Sequence, residues 1–392
     1  MKKILLVILS LLLLCSCAKI NIDENVNEEE PTKEYDSTQT DYDDEVIGIW
    51  LPIYELSGNS KTESQFKERA QAIIENCESI SVTDIFLQVR ANCDSIYPSA
   101  LFPPSFYFSS NGKLRFDALE IFLSAAHKKN IRVHAWINPY RLCSDFFKEN
   151  TTPEIIRKED IIKAGNGKYL DPASQRVNKL VLSGIREILE NYEVDGVHID
   201  DYFYPSTDEK IDENEYKDYL KNGGTLSLGE FRRNNVSGLV SSIFSLVKTY
   251  GNSKIFSISP SADIDKNTNK LYADVKLWCS QDGYADWIIP QIYFGFENSS
   301  MPFEKCLESW KKLTKDSNVR LLTGLAVYKA GQEDQYAGGG KNEWLENDDI
   351  IAREIEHLRK NDISGFILFS YNYVFGNKNF TKYEVQNLKN VI

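Results

Sequence analysis

The chain has 392 residues, 42% hydrophobic and 26% charged, with a net charge of −13. That length allows a sizeable core, and the acidic balance, with no basic stripe anywhere along the chain, excludes a nucleic-acid binder. Four histidines and seven cysteines in no ligand-like spacing give neither a metal framework nor a disulfide framework.

The N-terminus reads as an export signal. Lys2 and Lys3 precede an apolar run from Ile4 to Leu14, too short for a membrane span of about 20 residues. Leu14-Cys15-Ser16-Cys17 then matches a bacterial lipoprotein signal. Residues 1–16 are expected to be removed, and Cys17 to carry the lipid that holds the protein on the membrane. The chain is thus expected on the outer face of the cell membrane or in the outer membrane. Residues 17–45 are rich in Asp and Glu and contain few apolar groups. Such a segment repels itself and cannot order itself by burial, which predicts a disordered tether. The five cysteines beyond it are read as small hydrophobes, Cys77 and Cys306 on apolar helix faces.

From residue 46 to 392, short apolar runs alternate with helix-period stretches. Strands are expected at Val46–Leu51, Asp84–Val89, Ile131–Ile137, Gly196–Asp200, Ile255–Ser259, Trp287–Gln291, Arg320–Leu325 and Gly365–Phe369. Helical patterns cover Glu63–Cys77, Ala118–Lys128, Ser174–Tyr192, Leu228–Lys248, Pro302–Leu313, Asp348–Arg359 and Lys382–Val391. Eight alternations predict an α/β fold, a single (β/α)8 TIM barrel with long loops at the carboxyl ends of its strands; a doubly wound open sheet is the competing architecture.

Barrels of this kind place their chemistry at the carboxyl ends of the strands. Polar and aromatic side chains gather there, as suits sugars with apolar faces and hydroxyl rims. Strand two ends in Gln88 and Arg90, followed by Asp94. Strand three ends in His134, Trp136 and Asn138, followed by Arg141, and strand four in His198, Asp200, Asp201, Tyr202 and Tyr204. Strand six ends in Gln291 and Tyr293, and Tyr371 follows strand eight. Period-two alternation places His134, Trp136 and Asn138 on one face and His198 with Asp200 on another, both expected to look into the barrel. A zinc site at the histidines is the weaker expectation, since no third ligand is suitably spaced. No cofactor is implied.

At these residues the sequence resembles the glycosyl hydrolase-like 10 family of bacterial envelope barrels. The matching stretches are FLQVRANCDSIYPS, HAWINPYR, YLDP, DGVHIDDYFYP, LYADVKLW, IIPQIYFGF, TGLAVYK and GFILFSYN. They run from about Gly48 to Asn372. One stretch departs from the family's pattern: ISPSADIDKN lacks the glycine usual after Ser-Pro. The resemblance implies glycoside hydrolysis by an envelope protein, and a characterised branch cuts peptidoglycan glycan strands stripped of stem peptides.

Glycosidases need a proton donor and a second carboxylate. Asp200 is the expected inward carboxylate, with Asp201 raising its pKa or holding the sugar. Asp263, Asp265 and Asp94 are candidates for an opposing carboxylate, unless an N-acetyl group of the substrate supplies the second function. Gln88, Arg90, Asp94, His134, Trp136, Asn138, Arg141, His198, Tyr202, Tyr204, Gln291, Tyr293, Tyr328 and Tyr371 are expected to bind sugar. Two alternatives stand beside endo-acting hydrolysis. One is a silent glycan-binding lipoprotein, and the other a metal-dependent polysaccharide deacetylase or phosphodiesterase.

Overall fold

The computed structural model describes residues 45–143, 152–376 and 378–392. The signal, Cys17 and residues 17–44 of the expected tether lie outside the described residues. Glu45, the last residue of that expected tether, forms an ion pair with Arg359 at 2.7 Å.

Eight parallel strands form the centre: β1 (Val46–Leu51), β2 (Asp84–Arg90), β3 (Arg132–Ile137), β4 (Gly196–Ile199), β5 (Ile255–Ile258), β6 (Trp287–Ile288), β7 (Arg320–Leu321 and Thr323–Leu325) and β8 (Gly365–Leu368). Each pairs with its neighbour in sequence, and β8 pairs with β1 through Val46 and Gly365. The first half of β7 pairs with β6 and the second half with β8, so the ring closes across the break at Leu322. Closure rules out the open doubly wound sheet and leaves this parallel sheet without a bare edge among the described residues.

The helix following each strand packs on the outside: α1 (Glu63–Glu78), α2 (Ala118–His127), α3 (Gln175–Asn191), α4 (Leu228–Thr249), α5 (Val275–Ser280), α6 (Phe303–Thr314), α7 (Ile350–Lys360) and α8 (Lys382–Val391). Their starts are chemically marked. Thr62 with Gln65 and Ser227 with Glu230 form capping boxes, while Asp117, Ser174 and Asp274 accept from the first-turn amides of α2, α3 and α5. Each such cap is worth about 1 kcal/mol. The five described cysteines are free and buried.

Strand residues facing outward, such as Ile49, Leu87, Val133, Val197 and Leu325, join the large core beneath the helices. Those facing inward form a second cluster of Val46, Trp50, Phe86, Trp136, Ile255, Trp287, Ile289, Leu322 and Ile367. Four large rings fit because Gly324 leaves space: a Cβ there would stand 2.7 Å from the Trp50 ring. Below Trp136 the interior turns polar. Asp84, fully buried, pairs with the equally buried His134 at 2.8 Å and accepts two 2.7 Å bonds from Arg132, whose side chain reaches solvent. These partners outweigh the burial that opposes ionisation and hold the Asp84 carboxyl well below its usual range.

Candidate active site

A cavity of about 540 Å3 opens at the carboxyl ends of the strands, lined by residues of β1, β2 and β3 and of the segments that follow β1 through β6 and β8. Its floor and walls include Trp50, Gln88, Trp136, Ser259 and Phe369, and its rim Tyr54, Tyr107, Arg141, Tyr202 and Tyr293. Among the described residues, Asp200 and Asp201 are the carboxylates that line it.

Asp200 is 4% exposed. It leaves β4 inward, and β3 holds it from the side: Trp136 Nε1 donates to Asp200 Oδ2 at 3.1 Å, and Asn138 Nδ2 donates to the same oxygen. Asn138 is fixed in turn, because its Oδ1 accepts from Gln88 Nε2 at 2.7 Å. Gln88 Oε1 accepts from the Ile53 amide at 3.1 Å. Three strands thus clamp one carboxyl group. Burial, and then the charge of Asp201, push Asp200 up to about 7 against the opposing pull of Arg141 and the Asn138 bond. Burial also raises Asp201, but Lys266, a hydrogen bond from Gln291, and Arg141 favour its charged form. Both neighbouring carboxyls therefore lie above the usual carboxylate range, with Asp200 up to about 7 and Asp201 provided with cationic and amide partners for its charged form.

Aromatic rings complete the site. Arg141 lies over Tyr202, with 3.5 Å from its guanidinium carbon to the ring centroid, at the side of the acidic pair. Opposite, Tyr293 packs beside Phe369 and edge-on to Tyr328. Gln291 Nε2 donates to the Ser259 carbonyl at 2.9 Å, which fixes that wall. Rings with interleaved amides and carboxylates match the amphipathic surface of a pyranose.

Several residues expected at the site lie elsewhere, each for a physical reason. His134 and His198 do face inward but lie beneath the cavity and are fully buried. Phe86 stacks on His134 at 4.6 Å and meets His198 edge-on at 4.7 Å, filling the floor. Trp50 Nε1 can only donate, so His198 Nε2 accepts its 3.1 Å bond, and Nδ1 carries the proton toward Ser257 Oγ at 2.8 Å. Burial, with His134 nearby, keeps His198 neutral.

Arg90 is turned away from the sugar site by a bulge. Gln88 pairs with Trp136 but Arg90 pairs with Ile137, so one extra residue in β2 moves Arg90 to the outer face. There its guanidinium lies over Phe102 at 4.0 Å and against Gly184 of α3. Asp94 is buried below the β2 loop, accepting from the Ala91 and Asn92 amides. Asp263 caps the short helix Ile264–Lys266, accepting from Lys266 N at 2.9 Å, and Asp265 is exposed on that helix. Neither lines the cavity. Tyr204 is buried against Tyr272 outside the barrel, and Tyr371 turns outward to accept from Asn76 at 2.7 Å.

Trp50, Tyr54, Tyr107, Ser259 and Phe369 were not foreseen. Inward parity at the ends of β1, β5 and β8 points to Trp50, Ser259 and Phe369, whereas Tyr54 arrives on the short helix Ile53–Ser57 and Tyr107 on a loop, neither with a periodic signal. Burial also pushes Asp171 up to about 8 and Glu384 up to about 7, but neither reaches the cavity. Among the described residues, no three His, Cys, Asp or Glu side chains stand together as a cation site requires.

A closed parallel barrel whose mouth combines a raised carboxyl group, a second carboxylate and aromatic walls defines a glycoside hydrolase-type site. Residues 45–338 match the glycosyl hydrolase-like 10 family, and the chain belongs to that family. It is 29% identical to the glycosyl hydrolase DigH of Escherichia coli K12, over 93% of this chain and 91% of that protein. It is 30% identical to the glycosyl hydrolase YngK of Bacillus subtilis 168, over 73% of this chain and 61% of that protein. The glycoside hydrolase domain of PgaB from Bordetella bronchiseptica shares the fold, with a TM-score of 0.61 at 11% identity over 89% of this chain and 98% of that domain.

Proposed function

We propose that this protein is an exported, lipid-anchored glycoside hydrolase that cuts peptidoglycan glycan strands within the chain. The observation that carries the reading is the pair Asp200–Asp201 in the wall of an aromatic cavity, where burial raises both carboxyls, Asp200 up to about 7, and Lys266, Gln291 and Arg141 offer Asp201 partners for its charge. Asp200 gives its proton to the glycosidic oxygen as the bond to the anomeric carbon breaks. Asp201, steadied by Gln291, faces the positive charge that grows on the sugar ring. Arg141 and Tyr202 hold one side of the sugar, while Tyr293 and Phe369 hold the other.

The adjacency of the two acids favours a particular second step. Consecutive residues leaving one strand approach the substrate from the same side, whereas an enzymatic nucleophile must reach the opposite face of the ring. A 2-acetamido carbonyl oxygen of the substrate fills that role: it bonds to the anomeric carbon as the leaving oxygen takes the Asp200 proton. Water then adds to the anomeric carbon, returns a proton to Asp200 and releases the carbonyl.

The test incubates the full chain, in detergent, with peptidoglycan carrying or lacking stem peptides. New reducing ends that vanish in Asp200→Asn are expected; binding without new ends would replace this reading with a silent glycan binder, and loss of activity on chelation with a metal enzyme. Anchoring is tested separately, since Cys17→Ser should move the protein from the membrane fraction to the soluble one.

A further inference from the structure

We propose that the cavity continues into an aromatic arm formed by Tyr328, Tyr373 and Phe380, a subsite that binds the uncleaved continuation of the same glycan chain. The inference rests on the glycan-cutting reading for the identity of its ligand and on separate geometry for its location.

The arm starts inside the cavity. Phe369 and Tyr293 line it, and Tyr328 meets both edge-on, with centroids 6.0 and 5.7 Å away. Tyr373 follows at 6.0 Å from Tyr328, and Phe380 at 6.3 Å from Tyr373. Each step is about the length of one pyranose unit, and exposure rises along the row. Phe369 packs against the barrel core, Tyr328 and Tyr373 are half-buried, and Phe380 is 41% exposed. A cluster serving only to stabilise loops would have no need to present its rings in single file from a polar cavity to solvent.

The outer ring is also held from below. Gly331 has φ +67°, and a Cβ there would stand 2.5 Å from the Phe380 carbonyl oxygen, so the segment bearing Phe380 rests directly on bare backbone. Thr381 Oγ1 donates to the Tyr373 carbonyl at 3.0 Å, which ties the two outer rings together. The occupant that suits a file of rings continuous with a sugar cavity is more of the same chain, each ring meeting one apolar sugar face.

The experiment compares the full chain with Phe380→Ala and Tyr373→Ala on stem-free glycan strands, short oligomers against long polymers. Phe380→Ala removes a ring that is 41% exposed and keeps the Phe380 carbonyl that rests on Gly331. The expected result is an about tenfold fall in kcat/KM on long strands, with the shortest cleavable oligomer unaffected and Phe380→Trp restoring the preference. An unchanged ratio of long to short substrates, with the parent protein active, overturns the arm and leaves the hydrolase reading intact. Should the parent protein cut nothing, co-sedimentation with long strands decides the arm alone: weaker retention of Phe380→Ala supports it, and equal retention overturns it.

Discussion

Replacing Asp200 by Asn should make the protein more stable while destroying its activity. Asp200 is 4% exposed, and its carboxyl is raised from 3.8 to about 7 by burial and by Asp201. At 1.36 kcal/mol per pKa unit, that shift corresponds to about 4 kcal/mol of folding free energy withheld once the group must ionise. The folded state binds this proton more tightly than the unfolded state. The penalty is therefore absent below the unfolded pKa, grows as pH rises from about 4 to about 7, and stays constant above. Asparagine is isosteric, and its carbonyl oxygen still accepts from Trp136 Nε1 and Asn138 Nδ2. Only the contact from the Tyr202 amide, at 3.4 Å, is exchanged for an amide facing the cavity. Urea denaturation of both proteins across that pH range should give curves that coincide near pH 4 and separate by about 1.4 kcal/mol per pH unit, reaching about 4 kcal/mol at pH 8. A variant less stable than its parent at pH 8, or a difference that does not change with pH, would refute the claim that a buried, reluctant carboxyl sits at this position.

Three further outcomes follow from the same geometry. Glycan cleavage should lose about tenfold per pH unit above about 7 as Asp200 gives up its proton, and a pH–rate profile flat to pH 9 would contradict its assignment as the acid. Asp84→Ala should cost about 3 kcal/mol by chemical denaturation, because it leaves the fully buried His134 without its carboxylate, while the half-exposed Arg132 can turn to water. Asp84 has a lowered pKa, so the stability it contributes should fade as pH falls below the usual carboxylate range. Gly184→Ala would place a methyl 2.0 Å from Arg90 and 2.4 Å from Phe102, and should cost about 1–3 kcal/mol without changing KM. A rise in KM there would instead return Arg90 to the sugar site.

The barrel was legible because buried parallel strands are continuous apolar runs, and all eight appear where such runs lie. Ends were less so. The sixth strand stops at Ile288 instead of Gln291, since Pro290 has no amide to give to a ladder. Face was legible and depth was not: alternation turns His134 and His198 inward, but it does not say that Phe86 and Trp136 close the floor above them. The β2 bulge left no mark in the residue pattern, and it alone moved Arg90 to the other side of the sheet. Asp263 looked like a catalyst because it follows a strand, but it does what a lone aspartate before a short helix does, and caps it.

The acid and the rings belong to different kinds of backbone. Asp200 is gripped by side chains from the second and third strands, whereas Tyr54, Tyr107, Tyr328, Tyr373 and Phe380 ride on connections between elements or on single helical turns. Bond-breaking machinery is thereby welded to the chassis, and the parts that read the polymer are bolted on. Exchanging those connections among relatives would retune which strand is chosen and how far along it is gripped, with the proton donor left untouched.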